Sequence, residues 1–341
     1  MKILGTGILG QDCSILAEKC LDAGHEFYGI YRRISSGNSK TNIEPILHHP
    51  RLHLIEGDIT DSGFIMSTIA DLRPDMLFSL AAQSHVHYSF SNPIETFDVN
   101  TMAVIHQLEA IRKYSPDTRF YFSGTSEMYG TSPCPAGGFT ESTPFSPRSP
   151  YGCSKLASFS ITKNYREAYN LFACSGILFN HSSTNGRRGL DFMTRKITHT
   201  VAEIKLGLAD NMKAGNLESF RDEGAAEEYV DAMIKILGHT SPNDFVVSTG
   251  RGATMRQMLA HVCEIANLDI HDVYQPDEKF MRPSDVQYLL GNPEHIRSEL
   301  GWQASMDWKS VLKEMYEFDL NMLKFRLDRP SDHNLNMNPI K

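Results

Sequence analysis

Tyr151 and Lys155 stand one helical turn apart in Tyr151-Gly152-Cys153-Ser154-Lys155. That spacing on an α-helix returns to the same face, so a phenol and an ammonium can point into one cleft. A lysine beside a tyrosine favours the phenolate and can also hold a hydroxyl, which suits Tyr151 to deprotonate an alcohol during hydride transfer. Tyr-x-x-x-Lys also arises by chance, so its context carries the weight. Pro147-Arg148-Ser149-Pro150 reads as a helix entry, and Ser123-Gly124-Thr125-Ser126-Glu127 stands at a strand end upstream. Thr125 can hydrogen-bond the alcohol being oxidised. Glu127 supplies something a simple dehydrogenase does not need: a carboxylate able to take a proton alpha to a new ketone and then protonate a leaving hydroxyl. A surface carboxylate in a loop is the plainer reading of Glu127.

A second constellation lies at the N-terminus, where Gly5-Thr6-Gly7-Ile8-Leu9-Gly10-Gln11-Asp12-Cys13 follows an apolar run and opens a helix. Glycine at such a turn lets the backbone approach a pyrophosphate, and the helix start offers unpaired N–H groups and partial positive charge. Gly7, Ile8, Gly10, Gln11 and Asp12 are therefore candidate cofactor contacts, against the alternative of an ordinary tight turn. The second strand ends in Ile30-Tyr31-Arg32-Arg33. An acid there would bind the ribose hydroxyls of NAD, whereas guanidinium groups suit a 2'-phosphate, so the expected cofactor is NADP with Arg32 as a contact. A solvated basic pair is the bland alternative. Asp58 and Ile59, at the next strand end, suit an adenine amino group, and Leu80-Ala81-Ala82 is small enough to let backbone pass a cofactor.

These groups need strands that end on one side of a sheet. Short apolar runs (1–4, 26–31, 52–56, 76–80, 119–123 and 172–179) alternate with helix-length stretches at 13–23, 104–113 and 151–170. That rhythm predicts an α/β fold, a doubly wound parallel sheet of the Rossmann type. The expected nucleotide-binding domain covers 1–179, with 221–250 rejoining it through a helix at 225–237 and a strand at 245–248. A smaller, discontinuous C-terminal lobe at 180–220 and 251–329 would hold the substrate, and 330–341 reads as a flexible tail.

At 341 residues the chain exceeds the roughly 250 to 300 at which single cores stop growing, which leaves room for two lobes around a cleft. A net charge of -8 gives no general attraction to nucleic acid or to an anionic membrane surface. Six cysteines without a CxxC pair or a histidine at ligand spacing argue against a zinc site and a disulfide framework. No apolar run approaches the roughly 18 residues of a membrane span, and the expected setting is cytoplasmic.

Taken together, several segments resemble the extended short-chain dehydrogenase/reductases, specifically the GDP-mannose 4,6-dehydratase family. They are the glycine-rich loop, Thr125-Ser126-Glu127, Tyr151-x-x-x-Lys155, 164–170, 176–181, Gln83-Ser84-His85-Val86, Thr194-Arg195-Lys196-Ile197, Gly215-Asn216-Leu217, Arg221-Asp222 and Arg282-Pro283. The resemblance implies a hydro-lyase that oxidises C4 of GDP-mannose, eliminates water across C5 and C6, and returns the hydride to C6. It implies Tyr151 as base at the C4 hydroxyl and Lys155 as its electrostatic and ribose-binding partner. Thr125 would hydrogen-bond substrate, and Glu127 would be the C5 base that assists loss of the C6 hydroxyl. His181 and Arg188 would follow cofactor contacts, while Ser84, Asn180, Lys196, Arg221 and Arg282 would hold the sugar nucleotide. It further implies a homodimer or homotetramer.

The chain departs from the family pattern at identifiable places. Cys13 replaces the third glycine. After Asn180-His181 the family usually shows Glu-Ser-Pro-Arg-Arg-Gly, but here the segment is Ser182-Ser183-Thr184-Asn185-Gly186-Arg187-Arg188-Gly189, two residues longer and without the glutamate. Glu223 replaces a tryptophan, Ala225 a histidine, Asp191 an asparagine and Glu95 a tyrosine. A related nucleotide-sugar epimerase or 4-reductase would need Tyr151 and Lys155 but not Glu127, and a non-catalytic NADP sensor would need neither as a catalyst.

Overall fold

The computed structural model describes residues 1–33, 40–281 and 284–328. The chain begins with β1 (Lys2–Thr6), α1 (Gln11–Asp22), β2 (Glu26–Tyr31), β3 (Leu52–Glu56), α2 (Ser62–Leu72) and β4 (Met76–Ser79). Two short helices, α3 (Val86–Ser91) and α4 (Pro93–Phe97), lead into α5 (Ala103–Tyr114), followed by β5 (Arg119–Thr125), α6 (Pro150–Tyr169), β6 (Ala173–Leu178) and β7 (Asn180–Ser182). Next come α7 (Met193–Lys205), β8 (Met212–Ala214), β9 (Phe220–Ala225), α8 (Ala226–Gly238), β10 (Asp244–Val247) and β11 (Gly252–Thr254). The remainder is α9 (Met255–Ala266), α10 (Ile270–Val273), β12 (Tyr274–Pro276), β13 (Tyr288–Leu289), α11 (Glu294–Leu300) and α12 (Trp308–Asp328).

Seven strands form the main sheet in the order β10-β6-β5-β4-β1-β2-β3, every neighbouring pair parallel. Parallel sheets need cover on both faces, which is why β6 and β10 are buried along their whole length. Alternation along β5 assigns the faces: Tyr121 joins the core beneath α1 and α8, while Phe120 and Phe122 join the core beneath α2, α5 and α6. Strand order reverses between β1 and β4, and open α/β sheets bind ligands in the crevice beyond the carboxyl ends at that point. Thr6 ties the two loops there, its Oγ1 accepting from the Leu80 and Ala81 N–H groups at 3.0 Å each.

Of the region 221–250, expected to rejoin the main sheet through a helix at 225–237 and a strand at 245–248, α8 and β10 lie with that sheet and the first residues stand elsewhere. β10 pairs with β6 and α8 packs against α1, but β9 stands in a second sheet, flanked by β11 and β13 and paired with β7. The physical reason is the partner on offer: β7 continues directly from β6 beyond the main sheet, and β9 pairs alongside it in parallel. A third core, with Val201, Leu259 and Leu312, joins α7, α9 and α12 in the C-terminal region. Among the described residues no helix is long and apolar enough to cross a membrane.

Candidate active site

The end of β5 organises the chemistry. Its last residue, Thr125, has extended backbone and caps a short 3-10 turn, Ser126–Met128, by accepting the Glu127 N–H at 3.3 Å. α6 arrives opposite, with Pro150 in its first turn and Ser149 as N-cap accepting the Gly152 N–H at 3.0 Å. A Cβ on Gly152 would stand 2.9 Å from the Glu127 carbonyl oxygen, so glycine is what lets the helix start press against the turn. Tyr151 and Lys155 are both buried, and the Thr125 side chain and the Glu127 charge both act on the phenol.

Lys155 supports β5 rather than the phenol. Its Nζ donates to the Ser123 carbonyl at 2.8 Å and lies 5.0 Å from the centre of the Phe122 ring. Burial lowers the Lys155 ammonium to about 8, against an opposing pull from Asp12. Burial also dominates at Tyr151 and pushes the phenol up to about 12, with the Thr125 hydrogen bond drawing it down and the Glu127 charge pushing it up.

Asn100 is a positioning residue that the sequence pattern did not single out. It lies in a π-helical turn, Asp98–Met102, immediately before α5. Its Oδ1 accepts the Gln83 N–H at 2.9 Å, and its Nδ2 donates to the Gln83 carbonyl and to Ser154 Oγ, both at 3.0 Å. One buried amide thus joins the loop after β4 to the helix bearing Tyr151 and Lys155. An asparagine inside a helical stretch was the available signal.

At the N-terminal loop, Gly7 has φ +78, and the Gly7 and Ile8 N–H groups both donate to the Ile30 carbonyl, at 2.9 and 3.1 Å. Gly10 is the N-cap of α1 and offers no side-chain acceptor, which leaves the first-turn N–H groups directed at the crevice. Cys13 fits because β1 makes room for it: a Cβ on Gly5 would meet its Sγ at 2.7 Å.

Gln11, Asp12 and His181 use their side chains on one another. Gln11 Nε2 donates to Asp12 Oδ1 at 2.8 Å, and its Oε1 accepts the Ser183 N–H at 2.9 Å. His181 Nε2 meets Asp12 Oδ2 at 3.1 Å and its Nδ1 meets the Phe179 carbonyl at 2.8 Å. Burial opposes ionisation of Asp12, but His181 and Gln11 overcome it and hold the carboxyl at about 2. Burial likewise opposes the imidazolium, and Asp12 overcomes it, so His181 is raised. This clamp ties α1 to β7, and what Gln11 and Asp12 present to a ligand is backbone N–H.

The longer loop 182–189 sorts its two arginines. Arg187 turns back to α1, donating to Glu18 Oε1 at 2.6 Å and Ser14 Oγ at 3.2 Å. Arg188 stacks 3.7 Å from the Phe192 ring centre and acts electrostatically on Asp12, Tyr151 and His181, while its Nε is buried without a hydrogen-bond partner. An uncapped helix start, small loop residues and an orphaned guanidinium nitrogen together fit a phosphorylated dinucleotide.

The other sequence candidates are more dispersed. Arg32 is exposed at the end of β2 and influences Tyr88, whose hydroxyl donates to Glu95 at 2.6 Å. Asp58 Oδ1 accepts from the Thr60 N–H and hydroxyl at 2.9 and 2.8 Å, next to buried Ile59. Ser84 is exposed beyond Ala81 and Ala82, and Asn180 opens β7. Lys196 stands 3.7 Å from the Phe280 ring centre, and burial lowers its ammonium. Arg221 is buried on β9, donating to the Phe220 carbonyl at 2.9 Å with Asp285 at 3.7 Å. Arg282 lies outside the described residues, as do 330–341. Among the described residues no group of three or more His, Cys, Asp and Glu is placed to hold a metal ion.

Known proteins place this arrangement. The chain superposes on a dTDP-glucose 4,6-dehydratase from Bacillus anthracis solved with NAD, with TM-score 0.82 and 21% identity, covering 95% of this chain and 98% of that one. A UDP-glucose 4-epimerase from Thermotoga maritima gives TM-score 0.80 and 23% identity over 95% and 100%. Such likeness fixes the fold. The sequence model of the GDP-mannose 4,6 dehydratase family matches residues 4–315. GDP-mannose 4,6 dehydratase 2 of Arabidopsis thaliana is 40% identical over 94% of this chain and 87% of its own length. The GDP-mannose 4,6 dehydratase of Homo sapiens is 37% identical over 94% and 91%. With fold, family match and nearly end-to-end identity in agreement, the chain belongs to the GDP-mannose 4,6-dehydratase family.

Proposed function

We propose a division of labour among this chain's residues for the family's reaction, in which GDP-mannose loses water to give GDP-4-keto-6-deoxymannose. The enzyme is a hydro-lyase that depends on a nicotinamide cofactor. When bound, that cofactor takes the C4 hydrogen as hydride and gives it back at C6, so none is consumed. Tyr151, as phenolate, takes the C4 hydroxyl proton. Thr125, which acts on the phenol from the end of β5, holds the same oxygen. Lys155, buried beside Tyr151 on α6, braces the end of β5 through the Ser123 carbonyl and is the side chain that would reach the cofactor ribose.

The C4 ketone acidifies the C5 proton, which Glu127 removes and delivers to the C6 hydroxyl as it leaves as water. The proton held by Tyr151 then returns to C5, which restores the phenolate and balances the cycle. Gly7, Ile8 and Gly10 shape the turn that lets a pyrophosphate approach, the Gln11 and Asp12 backbone N–H groups with Arg188 serve the cofactor phosphates, and Asp58, Ile59 and Leu80 to Ala82 flank its adenosine half. His181 acts through its clamp on Asp12. Arg32 favours the 2'-phosphate of NADP. Ser84, Asn180, Lys196, Arg221 and Arg282 receive the sugar nucleotide, and the working form is a homodimer or homotetramer.

The observation that carries this reading is that Thr125, at the end of β5, and Glu127, in the 3-10 turn that follows, both act on the buried Tyr151 phenol. Incubation with GDP-mannose and NADP tests it by product analysis. A 4-keto-6-deoxy product without lasting reduced cofactor supports it. Epimerised sugar, or no product, contradicts it.

A further inference from the structure

Four cations on two successive segments are sorted in the same way. In the loop 182–189, Arg187 is held by Glu18 at 2.6 Å, and on α7 Arg195 is held by Asp319 at 2.6 Å. Their sequence neighbours, Arg188 and Lys196, are spent on no carboxylate among the described residues. Each lies over an aromatic ring instead. The Arg188 guanidinium stands 3.7 Å from the Phe192 ring centre, and the Lys196 Nζ stands 3.7 Å from the Phe280 ring centre.

One turn of α7 relates the two rings. Phe192 is its N-cap, and the Phe192 carbonyl accepts the Lys196 N–H at 2.8 Å, so the ring that receives Arg188 and the lysine that meets Phe280 stand on consecutive turns. Phe280 reaches the helix from another element. Its 3-10 turn, Glu278–Phe280, follows β12, which pairs in parallel with β8, and the Asp277 N–H donates to the Ala214 carbonyl at 3.0 Å. A Cβ on Gly215 would stand 2.6 Å from the Phe280 carbonyl oxygen, so glycine after β8 is what lets the ring-bearing turn close on that strand end.

A ring face attracts a cation through its quadrupole and takes up few of its N–H groups. A carboxylate would occupy those donors and cancel the charge, whereas a ring fixes the cation and leaves both for a phosphate. We propose that Phe192 and Phe280 are positioning residues, aromatic seats that hold Arg188 for the cofactor phosphates and Lys196 for the diphosphate of the sugar nucleotide. The ion-paired neighbours complete the arrangement: Arg187 locks the loop to α1 and Arg195 locks α7 to α12. α7 thereby sets the spacing between the two phosphorylated ligands.

The inference rests on the ligand assignments of Arg188 and Lys196 above, and a crossed set of ring variants tests it, with GDP and NADP titrated separately into each protein. Phe280→Leu should weaken GDP about tenfold and leave NADP unchanged, and Phe192→Leu should weaken NADP about tenfold and leave GDP unchanged. Phe280→Tyr and Phe192→Tyr keep the ring and should retain affinity within about twofold. Phe280→Leu should add nothing in a Lys196→Met background, nor Phe192→Leu in an Arg188→Met background. With GDP-mannose, Phe280→Leu should raise KM and spare kcat. Leucine variants that bind like wild type, tyrosine variants that lose as much as leucine, a single ring variant that weakens both ligands, or losses that persist without the cation would each overturn the proposal. Both titrations are read without turnover, so the dehydratase reading fails separately, on a wild-type protein that leaves GDP-mannose unconverted.

Discussion

The Gly152 backbone approaches the Glu127 carbonyl so closely that a Cβ there would lie 2.9 Å from the oxygen. This contact sets the distance between the helix that carries Tyr151 and the turn that carries Glu127. Gly152→Ala must push the two apart, at a cost of about 1 to 3 kcal/mol. Because displacement by about 1 Å can cost a hundredfold in rate, turnover should fall far more than stability does. Calorimetry and turnover on the same preparation measure both, and unchanged turnover would contradict the contact's role.

Thr125 tunes the Tyr151 phenol. Its hydrogen bond is the larger of two contributions, ahead of the Arg188 charge, that oppose burial, which raises the phenol to about 12. Thr125→Val removes that bond and raises the phenol further. Since a higher pKa leaves less phenolate at a given pH, the ascending limb of kcat/KM against pH should move to higher pH. The rate at neutral pH should drop about tenfold for each unit moved. A limb that stays in place would show that Thr125 does not act on the phenol.

The Asp12–His181 clamp should be visible in stability. Asp12 falls from 3.8 to about 2 on folding, so its contribution is present above about 4 and lost as pH falls toward 2. His181 is raised above 6.5, so its contribution is complete below 6.5 and lost as pH rises through the raised value. Asp12→Asn should therefore remove about 2 kcal/mol near pH 5 and flatten both flanks of the stability profile. Denaturant unfolding at several pH values checks this, and wild-type and variant profiles that run parallel would refute it.

Arg32 should decide between the two nicotinamide dinucleotides. It is exposed at the strand end where a 2'-phosphate would lie, and a charge-assisted hydrogen bond contributes about 1.5 to 3 kcal/mol. Arg32→Ala should weaken NADP binding about tenfold to a hundredfold and leave NAD nearly unaffected. Equal losses for both would remove the assignment.

Much of this was legible in the sequence because it depends on local order. A glycine-rich turn after the first apolar run, strand-length runs alternating with helix-length ones, and Thr125 to Glu127 ahead of Tyr151 and Lys155 all follow from spacing within short windows. What spacing conceals is the partner of each side chain. Asn100 meets Ser154 from another helix, Gln11 meets Ser183 across the sheet, and Lys155 meets the Ser123 carbonyl. None of these pairs is periodic. The second sheet stayed hidden for a similar reason: β7 is three residues long, and its parallel partner β9 lies beyond a helix and an intervening strand.

The central claim is that Glu127 turns an alcohol oxidation into an elimination, and Glu127→Gln with GDP-mannose and cofactor tests it most directly. The amide keeps the side chain's size and removes its basicity. The account predicts intact cofactor binding, reduced-nicotinamide absorbance that builds up because C4 oxidation proceeds without elimination, and a 4-keto-6-deoxy product at least about a hundredfold slower to form. Product formation at the wild-type rate would contradict it.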